Sequence, residues 1–251
     1  MNYNFFEKLV GTVITSFAFA FEVFLFKMYF NQGLSFFTFL SSFLLCFSGY
    51  TYLRFTENNR INAKSFVVFV VFLISIYFFI QSNEVKEILN KLLVLFFGLI
   101  IILIYHSSRY LKVLRGNLML KPLVISIVWL SLVYLYVNEI EWKFYIHQSL
   151  FIALLTIPFD IKTINTDQFS TLPKVLGIKE TKRILVILIF LYALLSIFSL
   201  FSFSIIFIII SVLLLISILL DFTFKNLWVY VFYDGMIILQ SILVFLYKFS
   251  Q

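Results

Sequence analysis

Long apolar runs separated by short polar breaks recur from one end of the chain to the other. They read as Leu9–Phe30, Leu34–Arg54, Ser65–Ile80, Ile88–His106, Leu118–Val137, Trp142–Pro158, Arg183–Leu200, Ser202–Leu220 and Leu227–Tyr247. Most approach the roughly 20 apolar residues that carry a helix across a bilayer. In hydrocarbon every backbone amide needs an internal partner, so such runs must be helices. The pattern therefore predicts an all-α polytopic membrane bundle of about nine transmembrane helices, forming one domain over residues 1–251. Gly33, Asn83 and the Leu200–Ser202 region mark tight connections, and the longer polar ones follow spans two, four and six. The first run follows Met1–Lys8 with no small-residue cleavage site before the next span, so it reads as a retained helix.

The basic residues give this ladder a direction. Lys8, Arg54, Arg60, Lys64, Arg109, Lys112, Arg115, Lys121, Lys162, Lys174, Lys179, Lys182, Arg183 and Lys225 fall on the side that holds the N-terminus. Only Lys27, Lys86, Lys91, Lys143 and Lys248 fall on the other. By the positive-inside rule the N-terminus is cytoplasmic, the C-terminus is outside, and the protein is integral to the cytoplasmic membrane. Trp142, Trp228 and Tyr230, near span ends, fit an aromatic belt at the headgroup level.

Composition agrees with this. The chain is 63% hydrophobic and 12% charged, too apolar to cover a water-soluble core. Its net charge of +7 is then a topology signal, and nucleic acid is not expected as a partner; membrane lipid is. The single cysteine, Cys46, excludes a disulfide framework and reads as a small packing residue. His106 and His147 have no metal-ligand spacing and read as interface residues.

Candidate chemistry concentrates where span six ends. Asp160 and Asp167 lie seven residues apart, which on a helix returns them to one face about 10 Å apart. Pro158 is expected to weaken the helix just before Asp160, and Gly177 to end a short helical or turn segment ahead of span seven. Asp160-x-x-Thr163-x-x-x-Asp167, followed by Ser170-Thr171-Leu172-Pro173-x-x-Leu176-Gly177, resembles the second aspartate motif of the UbiA superfamily of membrane prenyltransferases. The resemblance covers the expected layout of the whole chain and about 20 residues of motif.

That resemblance implies a UbiA-like fold and transfer of a prenyl group from a polyprenyl diphosphate to a hydrophobic, usually aromatic, acceptor. It implies aspartates holding Mg²⁺ against the diphosphate, here Asp160 and Asp167, as the leaving group ionises. Two departures stand out. Thr163 replaces the middle carboxylate, and the first aspartate motif is missing, with Thr51, Arg54 and Asn58 at its aspartate positions. At most one Mg²⁺ is then expected. Arg54, Arg60, Lys112, Arg115 and Lys174 become candidates for direct diphosphate contact, since guanidinium groups suit bidentate phosphate recognition. The alternative role for each is a basic anchor at the membrane interface.

Inside the spans, Glu22 and Asp234 are candidate cavity-lining carboxylates, with Thr163 as a third polar lining group. Trp129, Ser126 and Ser131 in span five read as packing residues. Three functional classes follow: a UbiA-like prenyltransferase; a non-catalytic isoprenoid-binding or interaction member of the same fold; and a transporter. The transporter ranks last, because the polar residues cluster at helix ends and internal Gly and Pro are few.

Overall fold

The computed structural model describes residues 3–55, 63–82, 91, 120–165, 171–198, 202–220 and 228–251, without the side chains of 3–5, 53–55, 63–65 and 120. Every regular element among them is helical. In chain order these are α1 (Tyr3–Tyr29), α2 (Phe36–Phe55), α3 (Ala63–Gln81), α4 (Leu120–Val133), α5 (Trp142–Lys162), α6 (Leu172–Phe198), α7 (Ser204–Leu220) and α8 (Gly235–Phe249). A 3₁₀ turn at Tyr134–Tyr136 extends α4, and a π turn at Tyr230–Asp234 leads into α8.

Phe6–Tyr29, Trp142–Lys162, Leu172–Phe198 and Tyr230–Phe249 are long and apolar enough to cross a membrane. Phe36–Tyr52, Phe66–Gln81, Lys121–Tyr136 and Ser204–Leu220 are apolar but shorter. The expected span Ile88–His106 lies, Lys91 apart, outside the described residues. One boundary differs markedly from expectation: α6 starts at Leu172, well before the apolar run that opens at Arg183. The polar turn through Lys179 and Lys182 is helical too, since Lys, Glu and Arg are good helix formers and need no burial.

The chain divides into two compact units. The first holds α1, α2, α3, residues 135–138 and α8 with its π turn. Phenylalanine rings fill the α1–α2 contact, with Phe17 against Phe43 at 4.7 Å and Phe21 edge-on to Phe39 at 5.5 Å. Helix α1 ends in a Schellman motif. Asn31 takes the left-handed conformation (φ 53°), while the amides of Asn31 and Gln32 donate to Met28 O and Lys27 O. Helix α2 opens on Ser35, whose Oγ accepts the Phe37 amide at 3.2 Å.

Helices α1 and α8 run parallel. Thr15 bonds to Asp234, Ser241 to the carbonyl of Phe21, and Lys248 to the carbonyl of Met28. Each step is six or seven residues on α1 against seven on α8, a heptad-like seam. Lys248 also donates to Asn31 Oδ1 at 2.5 Å, and Lys27 reaches Gly33 O at 3.2 Å. Two of the lysines on the sparsely basic side thus serve the carbonyl end of α1, where cations are favourable.

The second unit holds α4, α5, α6 and α7. Buried aromatic side chains of α5, α6 and α7 gather around His147, which stacks on Tyr192 at 4.3 Å and lies 4.7 Å from Phe207. Outward positions on α6, such as Ile187, Phe190, Leu194 and Phe198, are exposed and wholly apolar. Such a stripe suits lipid, not water.

Candidate functional site

The α4–α5 hairpin sets the geometry around Asp160. Antiparallel packing brings the start of α4 beside the end of α5, and Lys121 Nζ lies 2.5 Å from Asp160 Oδ1. The Asp160 side chain is 4% exposed and that of Lys121 24%, so the pair is sheltered on one side and open on the other. Further along the same hairpin, Ser126 and Ser149 hydroxyls meet at 3.0 Å. The hairpin topology already placed Lys121 and Asp160 at one end of neighbouring spans, a signal from which this pairing was legible.

Helix α5 is not interrupted at Pro158. It runs through the proline to Lys162 and closes at Thr163 (φ −93°, ψ 10°). Proline cannot donate to the preceding turn, but only one ladder bond is lost, and the buried residues on either side hold the helix together. Thr163 Oγ1 donates to Phe159 O at 2.9 Å, so its hydroxyl serves the helix end. Beyond it, Thr163-Ile164-Asn165 combines β-branched residues and Asn, which favour turns over helix. The helix that was to bring Asp160 and Asp167 onto one face thus ends at Lys162, and Asp167 lies outside the described residues.

Gly177 behaves as expected. Its backbone is non-helical at φ 80°, ψ 161°, separating the short turn Leu172–Leu176 from the long run of α6. That conformation is nearly reserved for glycine. Lys174 is exposed on the short turn. Of the other basic candidates, Arg60, Lys112 and Arg115 lie outside the described residues, and for Arg54 only the backbone, near the end of α2, is described.

The two candidate cavity-lining carboxylates, Glu22 and Asp234, belong to the first unit. Asp234 Oδ2 accepts the Thr15 hydroxyl at 2.6 Å, and the same hydroxyl lies 2.7 Å from Gly11 O. Glu22 is completely buried, and neither carboxylate oxygen meets a hydrogen-bond partner among the described residues. Gln240 of α8 is equally buried with both amide atoms in the same condition. A carboxyl group held this way in an apolar span is costly.

Two features lie outside the sequence reading. His147 is buried within the helix packing, with Nε2 2.7 Å from Ser196 Oγ. The Ser196 hydroxyl also lies 2.8 Å from Tyr192 O. Between α4 and α5 there is also a cleft of about 230 Å³, lined among others by Ile127, Leu130, Tyr134, Trp142 and Tyr145. Ser131, expected to pack, lines it too. Trp129 is buried as expected, and Cys46 packs with its thiol 3.9 Å from Thr15 O.

Asp160 and Thr163 do not by themselves fit a Mg²⁺ site. One Asp160 oxygen is engaged by an ammonium group and the Thr163 hydroxyl by a backbone carbonyl. Among the described residues no three His, Cys, Asp or Glu side chains come close enough to share an ion. No family model matches the chain, and no curated protein or solved structure matches it.

Proposed function

We propose that the chain is a nine-span membrane protein of UbiA-like layout that binds a polyprenyl diphosphate and passes its prenyl group to an aromatic acceptor. The observation that carries this reading is the sheltered Lys121–Asp160 pair at the end of α5, inside the motif run that ends at Gly177. It places charged chemistry at one end of a hairpin whose other end is an apolar, aromatic-lined cleft. A diphosphate needs cations at its head and hydrocarbon along its tail, and this hairpin offers both kinds of surface.

In the transfer, the allylic carbon–oxygen bond breaks and the diphosphate leaves with the electron pair. The prenyl cation then bonds a ring carbon of the acceptor, and the ring proton departs. This chain's part is to bind and neutralise the leaving group, with Lys174 and the basic candidates Arg54, Arg60, Lys112 and Arg115, and to keep water from the cation. Asp160 and Thr163 alone do not make a metal site, so in this reading neutralisation of the leaving group falls to these basic residues. In this reading the N-terminus is cytoplasmic and the C-terminus outside.

The Lys121–Asp160 pair also favours a second reading, binding without transfer, because it occupies a carboxylate that catalysis would need. One experiment separates the two. Purified protein in lipid nanodiscs is given labelled farnesyl diphosphate and a panel of aromatic acceptors, with Mg²⁺ or with EDTA. Transfer that disappears in Asp160→Asn supports the enzyme. Saturable binding without product supports the second reading, and absence of any binding rejects both.

A further inference from the structure

We infer that residues 174–183 form a membrane-surface elbow that docks on anionic lipid headgroups at the N-terminal end of α6. Along the outward face of α6, Phe198, Leu194, Phe190 and Ile187 are exposed in steps of three and four residues, and Arg183 continues the line. Arg183, with its i, i+3 partner Glu180 at 2.7 Å, marks where hydrocarbon gives way to headgroups. Yet every residue from Lys174 to Glu180 is exposed, including Val175 (54%), Leu176 (41%) and Ile178 (43%).

A straight helix would carry Leu176 about 10 Å past Arg183, away from the hydrocarbon and into water. The helix is not straight there. Gly177 breaks it at φ 80°, with nothing within 4 Å of where a Cβ would stand, so the Leu172–Leu176 turn departs from the α6 axis. Among the described residues no protein surface covers Val175, Leu176 and Ile178, and the apolar surface at this level is the boundary of the bilayer that α6 enters. Lys174, Lys179, Lys182 and Arg183 surround them with Glu180 as the lone acid, and Glu180 is engaged by Arg183. Apolar residues flanked by cations match an anionic leaflet, where acyl chains take the former and phosphates the latter.

The inference rests on the membrane reading alone and not on the prenyl chemistry. It is tested with nitroxide labels at Leu176→Cys and, as a control, Ile187→Cys, both in a Cys46→Ser background. The full chain is placed in nanodiscs of neutral or partly anionic lipid. Contact with dissolved oxygen is compared with contact with a water-soluble nickel complex. The label at 187 should contact oxygen in both lipids; if it contacts nickel instead, the membrane reading itself fails.

The label at 176 should move from nickel-accessible to oxygen-accessible as anionic lipid is added. Changing Lys174, Lys179 or Lys182 to Gln should cut that partition about fivefold per residue, the factor one cation contributes near an anionic surface. Equal nickel access at 176 in both lipids would overturn the elbow. So would protection from both probes, which would mean that a second copy or another protein covers it. Retention of the control signal at 187 shows that each variant is folded.

Discussion

Thr15 and Asp234, 219 residues apart in the chain, share a 2.6 Å hydrogen bond that ties the first helix to the start of the last. Both side chains are buried, and the Ser241 and Lys248 bonds repeat the tie along the same seam. Thr15→Val keeps the shape and removes the hydroxyl. We expect a loss of ~1–3 kcal/mol in stability, the cost of depriving a buried acceptor of a donor. Thermal unfolding in detergent checks this, and Thr15→Ser should recover most of the loss.

Lys121→Ala removes the cation beside a sheltered carboxylate. Breaking a fully buried ion pair costs several kcal/mol, but Lys121 is partly open to solvent, so roughly 1–3 kcal/mol is expected here. Lys121→Arg should be milder. The comparison to make is unfolding of each single variant against Lys121→Ala/Asp160→Asn. If the double variant is no more stable than Lys121→Ala, the pair does not carry the cost.

Glu22 should be a stability liability. Its carboxyl group is fully buried and its oxygens have no hydrogen-bond partner among the described residues. Glu22→Leu is expected to raise stability by ~1–3 kcal/mol, because an unsatisfied buried polar group is replaced by an apolar one of similar size. A matching fall in isoprenoid diphosphate binding or turnover would mark Glu22 as a residue kept for function at the expense of stability. A destabilised Glu22→Leu variant would contradict the first half of this.

Gly177→Ala tests the backbone alone. No atom lies within 4 Å of the added methyl group, so only the φ 80°, ψ 161° conformation is penalised. A cost of ~1–3 kcal/mol is expected. Measured by unfolding, a neutral effect would mean that the turn at 172–176 can realign without loss.

Helices were legible because apolar run length has one physical solution in hydrocarbon; eight of the nine expected runs fall on described helices. The break at Gly177 was legible because few residues tolerate its backbone angles. Helix ends set by polar residues were not. The polar turn ahead of Arg183 is helical without being apolar, and α5 stops at Thr163 through local hydroxyl and β-branch effects that the seven-residue spacing of Asp160 and Asp167 does not encode. The bond from Thr15 to Asp234 was also hidden, since span count and hydropathy say nothing about which helices become neighbours. The burial of His147 was not legible either, since it comes from Tyr192 and Phe207, far along the chain.

The parallel course of α1 and α8 leads to a prediction about topology. Thr15, Phe21 and Met28 meet Asp234, Ser241 and Lys248 in the same order, so the start of α1 lies beside the start of α8. If every helix crosses the bilayer and neighbours in sequence alternate in direction, parallel first and last helices require an odd number of crossings. The eight described helices are an even number, and with only those α1 and α8 would be antiparallel. The proposed nine-span layout, whose remaining run Ile88–His106 lies (Lys91 apart) outside the described residues, has the odd count this requires. The chain's two ends should then lie on opposite sides of the membrane. Reporter fusions that fluoresce only in the cytoplasm, placed before Met1 and after Gln251, should give signal at the N-terminus and none at the C-terminus. Alkaline phosphatase fusions should give the reverse. Both ends on one side would mean that one of the shorter apolar helices does not cross, and the nine-span layout would fall with it.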